Sequence, residues 1–182
     1  MPEGRFYLIF MSGIEVRPAT LRDAKAIATI HVNVWQEAYI DILPIEHLQT
    51  LSVEKRQAMW REAIEYSEPQ VLVAVDGGEI VGFVGFDRSR DPKSKPTTGE
   101  IWAMYVSSSH WNKGVGLALW DGAREGLIEE GCTNVTLWAM LRNDRAIRFY
   151  TLAGFKRELN TAKTVEMGGV KVEEIRMARV LS

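Results

Sequence analysis

A strand-like segment runs into a glycine-containing turn beyond the middle of the 182-residue chain. The turn reads Trp111-Asn112-Lys113-Gly114-Val115-Gly116 and leads directly into a segment with helical periodicity. The first amide groups of a helix have no partner within the helix, and glycine lets a ligand approach the backbone closely. The spacing therefore predicts either an anion site suited to a diphosphate or only a tight strand-to-helix turn.

Two other phosphate-binding motifs do not fit this turn. A dinucleotide fingerprint requires a third glycine at position 119, which is Leu119, and a P-loop requires Gly-Lys-Ser/Thr, which the sequence lacks. A dinucleotide fold also places its fingerprint in the first strand–helix unit, whereas this turn follows the fourth strand-like segment. The sequence therefore disfavours an oxidoreductase.

Together with a second segment, the turn resembles the GNAT superfamily of acyl-CoA-dependent N-acetyltransferases. Residues 111–116 match the family's phosphate loop, Arg/Gln-x-x-Gly-x-Gly/Ala, except that Trp111 replaces the usual Arg or Gln. Residues 143–150 read Asn-Asp-Arg-Ala-Ile-Arg-Phe-Tyr and, with Gly154-Phe155, match the family's Asn-x-x-Ala-x-x-x-Tyr and Gly-Phe. The resemblance spans about residues 14–181 and is specific because both motifs occur in the expected order.

The resemblance implies that acetyl-CoA is the co-substrate and that no metal ion takes part. Its pantetheine arm would pair like an added strand with Met104, Tyr105 and Val106, and would hydrogen-bond Asn143. Tyr150 would contact the cofactor and protonate the departing thiolate, although by itself this residue also fits a core position. Backbone amides would bind the diphosphate from Asn112, Lys113, Gly114, Val115, Gly116 and Leu117.

A general base is also needed, because an amine acceptor is protonated at neutral pH and cannot attack in that state. Glu100 resembles by position the general-base glutamate of some family members. Strict alternation along its strand would place Glu100 on the same face as Met104 and Val106. A solvated carboxylate at the strand end is the alternative interpretation of Glu100. Asp41, after the first helix, and an ordered water are the other candidates for the base.

The acceptor pocket is expected to be built from residues 39–44, the polar loop 88–99 and the final hairpin. The aromatic candidates also fit core positions. The acidic side chain in the first of these segments and the polar loop favour a small cationic amine as acceptor. The candidate lining residues are Trp35, Tyr39, Asp41 and Trp138.

Alternating strands and helices must position these residues. Antiparallel hairpins followed by a strand–helix–strand unit indicate a mixed sheet. We therefore predict an α/β fold of the α+β type: a single GNAT-like domain with a mixed, mostly antiparallel central sheet of about seven strands and helices on both faces. Helical periodicity covers residues 20–39, 45–66 with a break near Ser52, 115–130 and 145–153; β-rich runs cover 14–17, 71–75, 80–86, 100–107, 135–140, 155–165 and 170–180.

The predicted acetyltransferase domain covers residues 14–182. Residues 1–13 are interpreted as an N-terminal extension outside it, with Met11 as an alternative start. The apolar run at residues 6–11 is far shorter than the roughly 20 residues that span a bilayer, and it lacks the long apolar core of a signal peptide.

Composition excludes several classes of protein. The chain has 22 Lys and Arg against 24 Asp and Glu, a net charge of −2, so it lacks the basic field of nucleic-acid-binding proteins. The single cysteine, Cys132, excludes an intramolecular disulfide and is interpreted as a small buried residue, with an acyl-cysteine route as the alternative. His31, His47 and His110 lack metal-ligand spacing. We predict a cytoplasmic protein without nucleic-acid or membrane partners. A homodimer is also expected to be possible, because the terminal hairpin could pair or pack with a second copy.

We predict that the protein is an N-acetyltransferase. It would transfer the acetyl group of acetyl-CoA to the primary amine of a small cationic acceptor by direct attack in a ternary complex. One alternative is a catalytically idle sensor that binds acyl-CoA, and another is a protein N-terminal or lysine acetyltransferase. Thiol release from acetyl-CoA in the presence of amines separates the enzyme from the sensor.

Overall fold

A computed structural model describes residues 9–11 and 13–182. These residues form an eight-stranded sheet with helices on both faces. The strands are β1 (Ile9–Met11), β2 (Ile14–Pro18), β3 (Gln70–Asp76), β4 (Glu79–Arg88), β5 (Thr98–Val106), β6 (Asn134–Met140), β7 (Lys156–Met167) and β8 (Val170–Val180); the helices are α1 (Ala24–Ala38), α2 (Ile45–Gln49), α3 (Val53–Tyr66), α4 (Val115–Glu129) and α5 (Asp144–Leu152).

The sheet is mixed and mostly antiparallel, as the sequence predicted. Its strand order is β1-β2-β3-β4-β5-β6-β8-β7, and only the β5–β6 pair is parallel. The strand beyond the expected seven is β1, which pairs with β2 and belongs to the segment interpreted as an N-terminal extension. The remainder of that segment, residues 1–8 and 12, lies outside the described residues.

Two apolar layers cover the sheet. Helices α1 and α3 pack on one face, where Ile27, Trp60 and Phe83 are buried, and α4 packs on the other face against Phe86. A Cβ atom on Gly126 of α4 would lie 2.7 Å from Cε2 of Phe86, so only glycine lets this helix approach the sheet so closely. This contact explains a residue that otherwise lowers helix propensity by about 1 kcal/mol.

Local capping interactions set the helix boundaries near the N-terminus. A carboxylate oxygen of Asp23 accepts hydrogen bonds from the Thr20 amide and the Arg17 guanidinium, both at 2.7 Å, as the capping pattern predicted. A short 3-10 turn at Leu21–Asp23 leads into α1. The Ser52 hydroxyl accepts from the Lys55 amide at 3.2 Å and begins α3, which confirms the predicted break between α2 and α3.

A β-bulge interrupts β5 at Trp102. Ile101 pairs with Phe86 and Ala103 pairs with Gly85, so Trp102 has no partner on β4. The extra residue reverses the alternation of side chains along the strand. The prediction that Glu100 shares a face with Met104 and Val106 is therefore wrong.

None of the helices in the described part of the chain combines the length and the apolar character required to cross a membrane.

Candidate active site

The sheet opens between β5 and β6. Their parallel pairing joins only Thr98–Glu100 to Asn134–Thr136, and farther along β5 residues 104–106 pair with β4 alone. The gap leads into a cavity of about 740 Å³, a size typical of small-molecule sites. Met104, Tyr105 and Val106 line this cavity, so the strand edge predicted to bind pantetheine is available to a ligand.

The start of α4 lies at one end of the cavity. Gly114 precedes the helix with a φ of +83°, a backbone conformation that favours glycine. The amides of Val115, Gly116 and Leu117 occupy the first turn, where no intrahelical acceptor exists. These three residues, Asn112 and Gly114 line the cavity. Lys113 is exposed and does not line it.

The second glycine of the turn is required by packing. A Cβ atom on Gly116 would lie 3.1 Å from Cε2 of Phe149 on α5. Such a contact is tighter than ordinary van der Waals packing, so a larger residue would push α4 away from α5. Gly114 therefore provides the turn, and Gly116 provides the close approach of the two helices that border the cavity.

Trp111, which departs from the family pattern, makes two defined contacts. Its indole Nε1–H donates to the Val106 carbonyl at 2.7 Å. The guanidinium carbon of Arg145 lies 3.7 Å from the centroid of the Trp111 ring, in cation–π geometry. Burial lowers the pKa of Arg145 from its usual value, and this guanidinium has no carboxylate partner among the described residues. The contact therefore places an unpaired positive charge on the wall of the cavity, beside the start of α4.

Asn143 and Tyr150 lie on α5 at the same cavity. The Asn143 side-chain oxygen accepts from the Ala146 amide at 3.2 Å and caps the helix, and the same side chain also hydrogen-bonds the Tyr39 hydroxyl. Tyr150 is buried with its ring edge-on to Phe149 and Phe155. Burial raises the pKa of Tyr150, so its hydroxyl keeps its proton at neutral pH.

Two more tyrosines line the same region. Burial also raises the pKa of Tyr39 and of Tyr105, and the nearby Tyr105 hydroxyl adds to the effect on Tyr39. The Tyr105 ring stacks on His31 with centroids 5.1 Å apart. None of the three phenols is poised to accept a proton near neutral pH, because each favours its neutral form.

Aromatic side chains form the opposite end of the cavity. The predicted candidates Trp35, Tyr39 and Trp138 line it. Asp41 is exposed and does not line the cavity. Trp102, Met167 and Glu174 are among the lining residues that the sequence prediction missed.

Glu100 lies away from the cavity lining, in contrast to the expectation for a base. Its side chain is 2% exposed, and its carboxylate forms an ion pair of 2.6 Å with Nη2 of Arg90. The Arg90 backbone amide also donates to Glu100 at 2.9 Å. Because the bulge at Trp102 turns Glu100 to the other face and Arg90 occupies its oxygens, a structural role fits this carboxylate better than proton transfer.

His31 and Cys132 lie in the core. Trp60 Nε1 donates to Nδ1 of His31 at 3.0 Å, and burial lowers the pKa of His31 to about 3. Burial raises the pKa of Cys132, so its thiol stays protonated, which disfavours the acyl-cysteine route. Within residues 9–11 and 13–182 we find no cluster of three or more potential metal ligands.

Comparison with known proteins agrees with this geometry. The sequence profile of the acetyltransferase (GNAT) family matches residues 28–155. The N-acetyltransferase YuaI of Bacillus subtilis, whose function is uncharacterised, is 30% identical over 163 residues, which cover 89% of this chain and 90% of YuaI.

Solved structures share the fold. The ribosomal-protein-alanine N-acetyltransferase of Brucella melitensis aligns with a TM-score of 0.74 and 21% identity, covering 91% of this chain and 99% of that protein. The protein yncA of Salmonella typhimurium, solved with its cofactor acetyl-CoA, aligns with a TM-score of 0.73 and 23% identity. That alignment covers 94% of this chain and 95% of yncA.

Proposed function

This chain belongs to the GNAT family of acetyltransferases, and we propose that it transfers the acetyl group of acetyl-CoA directly to a primary amine within a ternary complex. The amine nitrogen attacks the thioester carbonyl carbon. The new N–C bond forms, the C–S bond breaks, the sulfur takes up a proton, and the nitrogen loses one. The acetyl group is never carried on a protein side chain.

The opening between β5 and β6 is the observation that carries this proposal. It presents the unpaired edge of Met104–Val106 next to the free amides at the start of α4, so one continuous surface fits both an amide-containing arm and a diphosphate. The cavity continues to the aromatic end near Trp138, which leaves room for a second substrate. Holding two substrates in one cavity raises the rate mainly through their orientation.

Tyr150 is proposed as the general acid. Its hydroxyl keeps its proton because burial raises its pKa, and it can pass that proton to the departing sulfur. Asn143 is proposed to hold the pantetheine arm through its side-chain NH2 group, which also contacts the Tyr39 hydroxyl. Since Glu100 is ion-paired and Asp41 is exposed outside the cavity, the proton of the amine is proposed to leave through water.

Arg145 is proposed to bind a phosphate group of acetyl-CoA. The family pattern places Arg or Gln at position 111, and Trp111 instead holds a guanidinium against its ring. A cation that has no carboxylate partner among the described residues gains free energy when it pairs with a phosphate. Arg145 would thus provide a positive charge on the cavity wall, which Lys113 of the loop does not line.

Release of free thiol from acetyl-CoA, measured with purified protein and a panel of primary amines, tests the proposed function. The proposal predicts thiol release that depends on the amine and a product with an added acetyl group by mass spectrometry. Thiol release that is independent of every amine would contradict transfer to an amine. Binding of acetyl-CoA without turnover on any amine or peptide would favour the sensor.

The homodimer and the cytoplasmic location stay predictions. Strand β7 forms an edge of the described sheet and carries Leu159, whose side chain is 77% exposed. Pairing or packing of this edge with a second copy would cover that leucine. Light scattering after gel filtration tests the dimer, with a Leu159→Lys variant expected to be monomeric.

A further inference from the structure

One carboxylate lines the acceptor end of the cavity without a partner. Glu174 lies on β8, opposite Met140 of β6 and Lys163 of β7, and it is half-buried. Among the residues that the structure describes, Glu174 and Asp144 are the acidic ones that line the cavity, and Asp144 lies at the start of α5. Glu174 makes no side-chain hydrogen bond or ion pair with another residue of the described ranges 9–11 and 13–182.

The basic side chains near Glu174 are engaged elsewhere. Lys163, directly across the strand pair, holds its Nζ 3.9 Å from the centroid of the Trp138 ring. Arg176, two residues farther along β8, pairs with Glu158 at 2.6 Å and with Asp91 at 3.1 Å. A cation from outside the chain is thus the natural partner for the free carboxylate.

The local charge balance points in the same direction. Arg176 is shared between the carboxylates of Asp91 and Glu158, and neither it nor Lys163 forms an ion pair with Glu174 among the described residues. The neighbouring ion pair between Arg90 and Glu100 adds no net charge. A carboxylate that lacks a counter-charge can form an ion pair with a cationic group of a bound ligand.

The positive charge that binds Glu174 must lie on a different nitrogen atom of the acceptor from the one that reacts. The reacting nitrogen has to be neutral when it attacks, and a carboxylate paired with its ammonium form would oppose loss of the proton. Only the reacting nitrogen forms the N–C bond as the C–S bond breaks. A second ammonium group on the same acceptor therefore keeps its charge throughout the reaction. The apolar walls at Trp35, Tyr39 and Trp138 suit an apolar linker between the two groups.

We propose that the acceptor is a diamine, or an amine with an equivalent second cation, whose non-reacting positive charge binds Glu174 while its apolar linker lies against Trp35, Tyr39 and Trp138. This inference rests on the proposed function, since it specifies the acceptor of the same reaction. Glu174 acts here in substrate selection.

The test compares α,ω-diamines of increasing chain length with monoamines of the same length. Wild-type protein is expected to acetylate the best diamine with a kcat/KM about 10-fold or more above that of its matched monoamine, as one favourable charge contact provides. Glu174→Gln is expected to remove this preference, mainly through a higher KM for the diamine. Glu173→Gln is the matched control, because Glu173 is the preceding residue of β8 and is exposed.

The outcomes separate this inference from the proposed function. Equal use of diamines and monoamines by wild-type protein would overturn the role of Glu174. A diamine preference that survives Glu174→Gln would do the same. Both results would leave the acetyltransferase proposal intact. Preferred acetylation of peptides, unaffected by Glu174→Gln, would also overturn the role of Glu174. If no amine is acetylated and acetyl-CoA does not bind, both proposals fail. Unchanged acetyl-CoA affinity of Glu174→Gln shows that this variant is folded.

Discussion

The guanidinium of Arg145 lies over the ring of Trp111, 3.7 Å from its centroid, while the indole N–H of Trp111 donates to the Val106 carbonyl. These contacts connect α5, the phosphate-binding turn and the end of β5 in one arrangement. Trp111 therefore holds the positive charge of Arg145, which belongs to α5, beside the turn. In the family pattern the corresponding side chain is an Arg or Gln of the turn itself.

Replacing Arg145 with Met should weaken acetyl-CoA binding. Loss of a charge-assisted contact to phosphate is expected to raise Kd about 10-fold, because such a contact contributes about 1.5 kcal/mol. If Arg145 binds the 3′-phosphate, the difference in Kd between the wild type and the variant should be smaller for an acetyl-CoA analogue that lacks this phosphate. Calorimetric titration measures both affinities. Arg142→Met is the control, since Arg142 is exposed and does not line the cavity; equal losses in the two variants would contradict a specific role.

Removing the hydroxyl of Tyr150 should slow the chemical step. Tyr150→Phe is expected to lower kcat about 10²-fold, as for loss of a general acid, with little change in the Kd of acetyl-CoA. Because burial raises the pKa of Tyr150, its titration should not contribute to the pH dependence of the wild-type rate near neutral pH. Steady-state kinetics and calorimetry provide the two measurements. An unchanged kcat would remove Tyr150 from the mechanism.

Glu100 should matter for stability rather than for proton transfer. Glu100→Gln is expected to lower the free energy of unfolding by about 1 kcal/mol and to preserve the shape of the pH profile of kcat/KM. Arg90→Gln breaks the same ion pair but leaves the buried carboxylate without its cation, so it should destabilise more, by about 2 kcal/mol. Urea unfolding and pH-dependent kinetics check these expectations. A shift of the alkaline rise in Glu100→Gln alone would restore its role as the base.

His31 should make the fold sensitive to acid. Burial lowers its pKa to about 3 in the folded protein from 6.5 in the unfolded chain, so the unfolded chain takes up a proton first as the pH falls. The contribution of His31 is therefore complete above about pH 6.5 and is lost progressively toward pH 3. Between pH 7 and pH 5 the loss amounts to about 2 kcal/mol.

Comparison with a His31→Gln variant isolates this contribution. The glutamine side chain can still accept from Trp60 Nε1, but it does not titrate. Urea unfolding of both proteins at pH 7 and pH 5 should show that wild-type protein loses about 2 kcal/mol more than the variant. Equal losses would show that His31 is protonated in the folded state or is not buried.

The sequence predicts the elements of this fold well, because their signals are local. Hydrophobic periodicity locates α4, and the pair Thr20 and Asp23 marks the approach to α1. The bulge at Trp102 has no such signal, since neither glycine nor proline lies there to mark it. That single extra residue reverses the face of Glu100 and explains why its predicted position is wrong.

The site is only partly predictable from the sequence for a related reason. The glycine turn and Asn143 could be identified because each belongs to a contiguous motif. The position of Glu174 depends on which strand lies beside β8, and the Arg145 contact with Trp111 joins two elements that are separated in the sequence. Such pairings follow from the packing of the whole sheet and carry no local pattern.

Calorimetric titration of the purified protein with acetyl-CoA is the most direct test of the central claim, that the β5–β6 opening and the start of α4 form one binding surface for this thioester. We expect saturable binding of one acetyl-CoA per chain with micromolar affinity. Absence of any binding heat at millimolar acetyl-CoA or coenzyme A would contradict it.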